Sequence, residues 1–119
     1  MKIVYASRMG KVEKLVNMLT EEAVKIDDAK LQMNEDFVLF TYTDGNGIVP
    51  AVVDEFLAHN SQFLKGVVAS GSMERHADTY CWAGDIIAKN YNVPCLYKVD
   101  GAGTSEDVTA IQAILNSLN

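Results

Sequence analysis

The sequence predicts an α/β protein in which helices cover both faces of a parallel sheet. Short runs rich in β-branched and aromatic residues alternate with segments whose apolar residues recur at helical spacing. Five such strands alternate with four such helices, and the strands contain continuous apolar runs, which is typical of strands buried on both faces. The length of 119 residues fits one domain with its own core, so we expect residues 1–119 to form a single domain.

The first half of the chain contributes three strands and two helices. Strands are predicted at residues 2–6 and, more briefly, at 23–26, with an amphipathic helix over residues 12–19 between them. The apolar run Phe37–Tyr42 predicts the third strand. A second helix is expected to begin at Pro50 and to end near Asn60, which we expect to act as its C-terminal cap.

The second half adds two strands and two helices. A fourth strand is predicted over residues 64–70, a third helix over 80–90 and a fifth strand over 93–97. The last helix is expected to begin after Thr104, because Thr104 as N-cap and Asp107 three residues later match a capping pattern.

Right-handed crossovers leave few topologies for these elements, and the strand order 2-1-3-4-5 fits best. This order describes a flavodoxin-like three-layer sandwich, whose ligand site lies where strands 1 and 3 diverge. The loops after strands 1, 3 and 4 would then meet at one edge of the sheet. One of them, residues 71–78, is longer than a plain connection requires.

Composition excludes several classes of function. The net charge of −6 and pI near 4.7 argue against a nucleic-acid partner. No apolar run approaches the roughly 20 residues of a membrane span, and a strand at the N-terminus leaves no room for a signal peptide, so we expect a cytoplasmic protein. Cys81 and Cys95 fit neither a metal spacing nor a C-x-x-C motif, which indicates reduced, core-packing thiols.

Two of the loops suggest a ligand. The loop after strand 1 joins a strand to a helix, which suits an anion such as phosphate, although Ser7 could equally cap the helix. The loop after strand 3 carries two glycines that let a flat ligand approach the backbone, although it could equally be a polar loop without a ligand. The candidate binding residues are Ser7, Arg8, Met9, Gly10, Lys11 and Val12 in the first loop, and Thr41, Tyr42, Thr43, Asp44, Gly45, Asn46 and Gly47 in the second.

These residues belong to a wider pattern. The chain resembles the NrdI family, the small flavodoxin-like FMN proteins of class Ib ribonucleotide reductase, over nearly its whole length. The matching segments are Val4-Tyr5-Ala6-Ser7 with Gly10, residues 36–43, Gly45-x-Gly47 with Val49-Pro50, Glu55-Phe56-Leu57 with Asn60, residues 64–67, Ala69-Ser70-Gly71, Asp78, Lys89-x-Tyr91-x-Val93-Pro94, Gly103-Thr104 and Asp107-Val108.

The resemblance implies one FMN held by the loops after strands 1, 3 and 4, which adds candidates on the third loop: Ser70, Gly71, Ser72, His76, Asp78 and Tyr80. It implies that the flavin, and no side chain, carries the chemistry. A reductase would supply electrons, and reduced flavin would convert O2 to superoxide for the dimanganese site of the radical subunit, NrdF. The protein would then be a redox-active accessory and not a stand-alone enzyme.

The chain departs from the family pattern in two of the three loops. Met9 and Lys11 stand where the family has threonine and asparagine, so a hydroxyl donor to phosphate is lost and a cation is gained. The loop after strand 4 is one residue longer and lacks the family's tryptophan, so His76 or Tyr80 would have to cover the flavin. We therefore expect looser FMN binding than in a protein with the usual residues. Within the second loop, we expect the peptide between Asp44 and Gly45 to offer its carbonyl to reduced flavin.

Other protein classes fit less well. A response-regulator receiver needs acidic residues after strand 1 and an aspartate ending strand 3, where this chain has Ser7-Arg8 and Thr41-Tyr42. A cysteine phosphatase needs a cysteine in its phosphate loop, and this chain has none there. A general flavodoxin-type electron carrier and a flavin-free paralogue acting as a protein-binding module remain as alternatives.

Overall fold

The computed structural model describes residues 1–119 as one five-stranded parallel sheet with helices on both faces. The strand order is β2-β1-β3-β4-β5, which confirms the predicted flavodoxin-like sandwich. The elements are β1 Lys2–Tyr5, α1 Lys11–Asn17, β2 Ala23–Lys25, β3 Phe37–Tyr42, α2 Ala51–Asn60, β4 Leu64–Gly71, α3 Trp82–Tyr91, β5 Cys95–Asp100 and α4 Ser105–Leu118, with short 3-10 turns at Ser61–Phe63 and Ala77–Thr79. None of the helices combines the length and apolar character needed to cross a membrane.

The central strand β3 divides the core into two layers because successive side chains point to opposite faces. Phe37 and Leu39 pack on the side of α2 and α3, where Phe56 meets Phe37 edge to face with ring centroids 5.6 Å apart. Val38 and Phe40 pack on the side of α1 and α4. All four side chains are at most 1% exposed, so β3 is the best-protected strand of the sheet.

Strand β5 is shifted by two to three residues from its predicted range, 93–97. It begins at Cys95; Pro94 lacks an N–H and contributes only its carbonyl, which accepts from the Val67 N–H. It continues to Asp100 because Val99 enters the core while Lys98 and Asp100 point to solvent. The exposed Lys98 and Asp100 fit the place of β5 at the edge of the sheet.

Asn60 does not cap α2 as predicted. Its backbone is not left-handed, and its side chain is buried at 0% exposure, where Nδ2 donates to the carbonyls of Leu31 and Phe56 and Oδ1 accepts from the Met33 N–H at 2.7 Å. Asn60 thus holds the long connection before β3 against α2. The left-handed C-cap asparagine of this chain is Asn92, which follows α3.

Two other helix ends differ in detail. Helix α1 ends at Asn17, short of the predicted Leu19, because the Leu19 N–H turns back to the Val16 carbonyl. Helix α3 begins at Trp82 because Cys81 has a left-handed backbone, with φ of +54°. The predicted start of α4 is confirmed: Thr104 Oγ1 accepts from the Asp107 N–H, and the Asp107 carboxylate accepts from the Thr104 N–H.

We predict that Asn60→Ala destabilises the protein by about 1–3 kcal/mol, because it leaves the Met33 N–H and the Leu31 carbonyl without partners. Urea unfolding followed by circular dichroism measures this loss. His59→Ala is the matched control, since His59 is the exposed neighbour on the same helix. Equal midpoints for the two variants would contradict the role given to Asn60.

Candidate functional site

The loops after β1, β3 and β4 enclose a cavity of about 380 Å³ at the carboxyl edge of the sheet. Parallel strands bring their carboxyl ends to one edge, and open α/β sheets bind ligands at that edge. The cavity is lined by Ser7, Arg8, Met9, Lys11, Val12, Tyr42, Thr43, Gly45, Ser70, Gly71, Ser72, Glu74, Arg75, His76, Thr79, Tyr80 and Cys81.

The first loop offers a row of hydrogen-bond donors. Gly10 turns the chain with a left-handed backbone at φ of +87°. The backbone N–H groups of residues 8–12 have no acceptor within the protein. Ser7 Oγ accepts from the Glu13 N–H at 3.3 Å, so it supports the first turn of α1 while its own proton stays available to a ligand. Both interpretations of Ser7 made from the sequence are therefore compatible with this geometry.

The cavity is locally positive although the whole chain carries a charge of −6. Three cations line it, Arg8, Lys11 and Arg75, against one carboxylate, Glu74. Lys11 and Arg75 have no carboxylate partner within 4.0 Å. Unpaired cations beside free N–H groups favour an anionic ligand.

Arg8 links the first loop to the second. Its guanidinium donates to Asp44 Oδ1 at 2.7 Å and lies over the Tyr42 ring, 5.2 Å from the ring centroid. Cation–π contacts of this kind are stabilising within about 6 Å. Arg8 therefore ties two walls of the cavity together.

The second loop closes on itself through Asp44. The Asp44 carbonyl accepts from the N–H groups of Gly47 and Ile48, the Asp44 N–H donates to the Ile48 carbonyl, and Asp44 Oδ1 accepts from the Gly45 N–H. Reorienting the peptide between Asp44 and Gly45 would break the first two bonds, so this geometry disfavours the peptide that the sequence suggested. The carbonyls of Gly45 and Asn46 accept no protein hydrogen bond, which makes the next peptide the freer one.

The third loop folds into a compact turn on the cavity wall. The Ser72 carbonyl accepts from the His76 N–H and Ser72 Oγ from the Arg75 N–H. At its base, Ser70 Oγ donates to the Gly101 carbonyl at 2.6 Å. Burial raises the pKa of the Tyr80 phenol, so Tyr80 is a neutral hydrogen-bond donor at physiological pH.

Two hydroxyls at this cavity have no partner. Thr43 Oγ1 and Thr79 Oγ1 are buried and make no hydrogen bond within the protein, and both residues line the cavity. A buried hydroxyl without a partner costs free energy, and unsatisfied groups are rare in native proteins. They are the kind of groups that a polar ligand would satisfy.

The structure thus brings most of the predicted site residues together, and it places six of them outside the cavity lining. Gly10 turns the first loop, Thr41 Oγ1 donates to the Tyr42 carbonyl, and Asp44 closes the second loop. The remaining three are Asn46, exposed at the tip of that loop, Gly47, buried beneath α3, and Asp78, exposed in the Ala77–Thr79 turn.

Sequence reasoning missed four cavity residues: Glu74, Arg75, Thr79 and Cys81. Three lie in or beside the predicted long loop, and its length was the only indication of them. Cys81 was interpreted as a core thiol, and it is one: its side chain is 0% exposed and its Sγ–H donates to the carbonyls of Ala69 and Val99. Its position at the cavity follows from its own left-handed backbone before α3, which no sequence pattern predicted.

Comparison with known proteins matches this architecture to a family. The family model described as "NrdI Flavodoxin like" matches residues 3–113. The chain belongs to the NrdI family. A NrdI protein of a Ruegeria species is 37% identical in an alignment 119 positions long, which covers 93% of this chain and 84% of that protein. The NrdI protein of Bacillus licheniformis is 36% identical over 107 residues, which cover 90% and 81%.

Solved structures give the same fold at lower identity. Oxidised flavodoxin 2 from Bacillus cereus superposes with a TM-score of 0.71 at 20% identity, covering 98% of this chain and 94% of that one. Oxidised flavodoxin 1 from the same species superposes with a TM-score of 0.66 at 19% identity, covering 95% and 92%. These likenesses establish the flavodoxin-like fold of this NrdI-family chain.

We predict that Cys81 resists alkylation in the folded protein. Burial raises the pKa of its thiol to about 11, whereas an unfolded cysteine titrates near 8.5, so the reactive thiolate is scarce at pH 8 only in the folded state. Iodoacetamide labelling at pH 8, mapped by mass spectrometry, should modify Cys81 at least about 100-fold more slowly in native protein than in denaturant. Comparable rates in the two states would show that the thiol is not buried as described.

Proposed function

We propose that this protein is a NrdI-type flavoprotein that binds FMN and supports class Ib ribonucleotide reductase. In this role it reduces O2 to an oxidant for the metal cofactor of the NrdF subunit, with electrons drawn from a separate reductase. The observation that carries the proposal is the cavity shared by the loops after β1, β3 and β4 in a chain of the NrdI family. The protein acts as an accessory to its partner.

The residues of the cavity fit FMN in three respects. The free N–H groups of residues 8–12 and the unpaired Lys11 suit a phosphate dianion. The orphan hydroxyls of Thr43 and Thr79 suit the polar edge of a flavin ring. Gly45 leaves open space at the cavity, since nothing lies within 4 Å of where its Cβ would be. The phosphate, the polar edge of the flavin ring and the ring itself would thus each meet a matching feature of the cavity.

Bound FMN would supply one- and two-electron redox chemistry, including reduction of O2. The chain's own residues would then bind and orient the flavin and offset the charge of Asp44 beside it. Arg8 offsets the charge of Asp44 beside the cavity, because its guanidinium lies 2.7 Å from Asp44 Oδ1, so this carboxylate would repel an anionic ligand less. Tyr42 and Tyr80 offer aromatic surface on the second and third loops, and His76 stands where the family's tryptophan would be.

The experiment that tests the proposal uses the purified protein in two steps. Titration with FMN, followed by absorption and flavin fluorescence, should give saturable binding of one flavin per chain. The reduced complex, mixed with manganese-loaded NrdF of the same cell and O2, should then generate the tyrosyl radical seen by electron paramagnetic resonance. Absence of FMN binding would favour a flavin-free binding module, and binding without radical formation would favour a general electron carrier.

We predict that Met9→Thr tightens FMN binding about tenfold or more. It adds a hydroxyl donor in the first loop, and one hydrogen bond to a charged group contributes about 1.5–3 kcal/mol. Fluorescence titrations with FMN and with riboflavin measure the effect, which should appear for FMN alone because riboflavin lacks the phosphate. Met73→Thr is the control, since Met73 is also exposed and does not line the cavity. An equal gain for riboflavin would place the new hydroxyl away from the phosphate.

A further inference from the structure

The tryptophan of this chain lies against the glycine loop. Trp82 is the first residue of α3, and its side chain is 47% exposed. A Cβ on Gly47 would lie 2.7 Å from Trp82 Cε3 and 3.0 Å from Thr79 Cβ. Gly47 is buried while its neighbours Asn46 and Ile48 are exposed. The indole ring therefore covers the Gly47 backbone at a distance that no other residue would allow.

Side chains from outside the second loop hold both of its ends. Arg8 binds Asp44 at its start, and Trp82 packs on Gly47 at its end. Between these contacts, the carbonyls of Gly45 and Asn46 accept no protein hydrogen bond. The segment from Gly45 to Asn46, whose carbonyls make no protein hydrogen bond, is thus positioned by the contacts at the two ends of the loop.

We propose that Trp82 is a positioning residue, which fixes the turn from Gly45 to Gly47 as one wall of the flavin cavity. This inference rests on the proposed function, since it assigns a residue to the same site. Trp82 does not line the cavity, whereas Gly45 does. Its effect on a bound flavin would therefore be transmitted through the backbone of the loop.

The nature of the contact explains why tryptophan suits this role. A glycine at φ of +96° presents bare backbone, and a large flat ring can cover it without a steric clash.

The first test needs no flavin. The N–H groups of Gly47 and Ile48 donate to the Asp44 carbonyl, so their hydrogen exchange reports whether the loop is closed. Trp82→Ala should speed exchange at these two amides about tenfold while the amides of β3 stay unchanged. Trp82→Phe keeps an aromatic ring and should restore most of the protection. Met73→Ala, which removes a side chain of similar exposure on the third loop, should leave both amides as in the wild type.

The second test uses the FMN complex. Trp82→Ala should weaken FMN binding by about three- to tenfold and shift the midpoint potentials of the bound flavin, with Trp82→Phe closer to wild type and Met73→Ala unchanged. A merely structural role of Trp82 would lower thermal stability without moving the potentials. If wild-type protein fails to bind FMN, the proposed function fails and the exchange experiment still decides on the loop. Unchanged exchange at Gly47 and Ile48 in Trp82→Ala would overturn the inference.

Discussion

The parallel pairing of β3 between β1 and β4 is the constraint on which the rest of this structure depends. A strand buried on both faces is mostly apolar, and Phe37 to Phe40 fit that pattern with side chains at most 1% exposed, while the buried Thr41 donates its hydroxyl to the Tyr42 carbonyl. Parallel neighbours require crossovers through helices, so every loop that leaves a strand end emerges at the same edge. The cavity exists because three of these loops have polar, glycine-bearing sequences at that one edge.

The cavity walls are joined by side chains and not by the sheet alone. Arg8 connects the first and second loops through Asp44 and Tyr42, and Ser70 anchors the third to Gly101 after β5. The second loop is closed by its own backbone around Asp44. A ligand that bridges the loops would find them already close together, which reduces the conformational entropy that binding must overcome.

Charge gives the cavity its chemical character. An acidic chain with three cations at one rim directs anions to that rim, while the rest of its surface repels them. At this rim Met9 contributes no side-chain hydrogen-bond donor, whereas Lys11 contributes a positive charge without a carboxylate partner. Charge attraction is less directional than a hydrogen bond and is screened by salt.

Local sequence patterns were sufficient to predict the strand order, the three-layer fold and the loops that form the cavity. Apolar runs such as Phe37–Tyr42 and the capping pair Thr104 and Asp107 are local patterns, and local patterns can be recognised without the fold. Its motifs also indicated the NrdI family, whose model matches residues 3–113.

Details that depend on residues distant in the chain could not be predicted and are visible only in the folded protein. Asn60 is a buried bridge and not a cap, because residues 27 and 29 positions earlier supply its partners. Cys81 reaches the cavity through a left-handed turn, and Trp82 reaches Gly47 across 35 residues of chain. Such contacts join segments whose local sequences give no indication that they will meet. They can therefore be identified only after the sheet has brought the segments together.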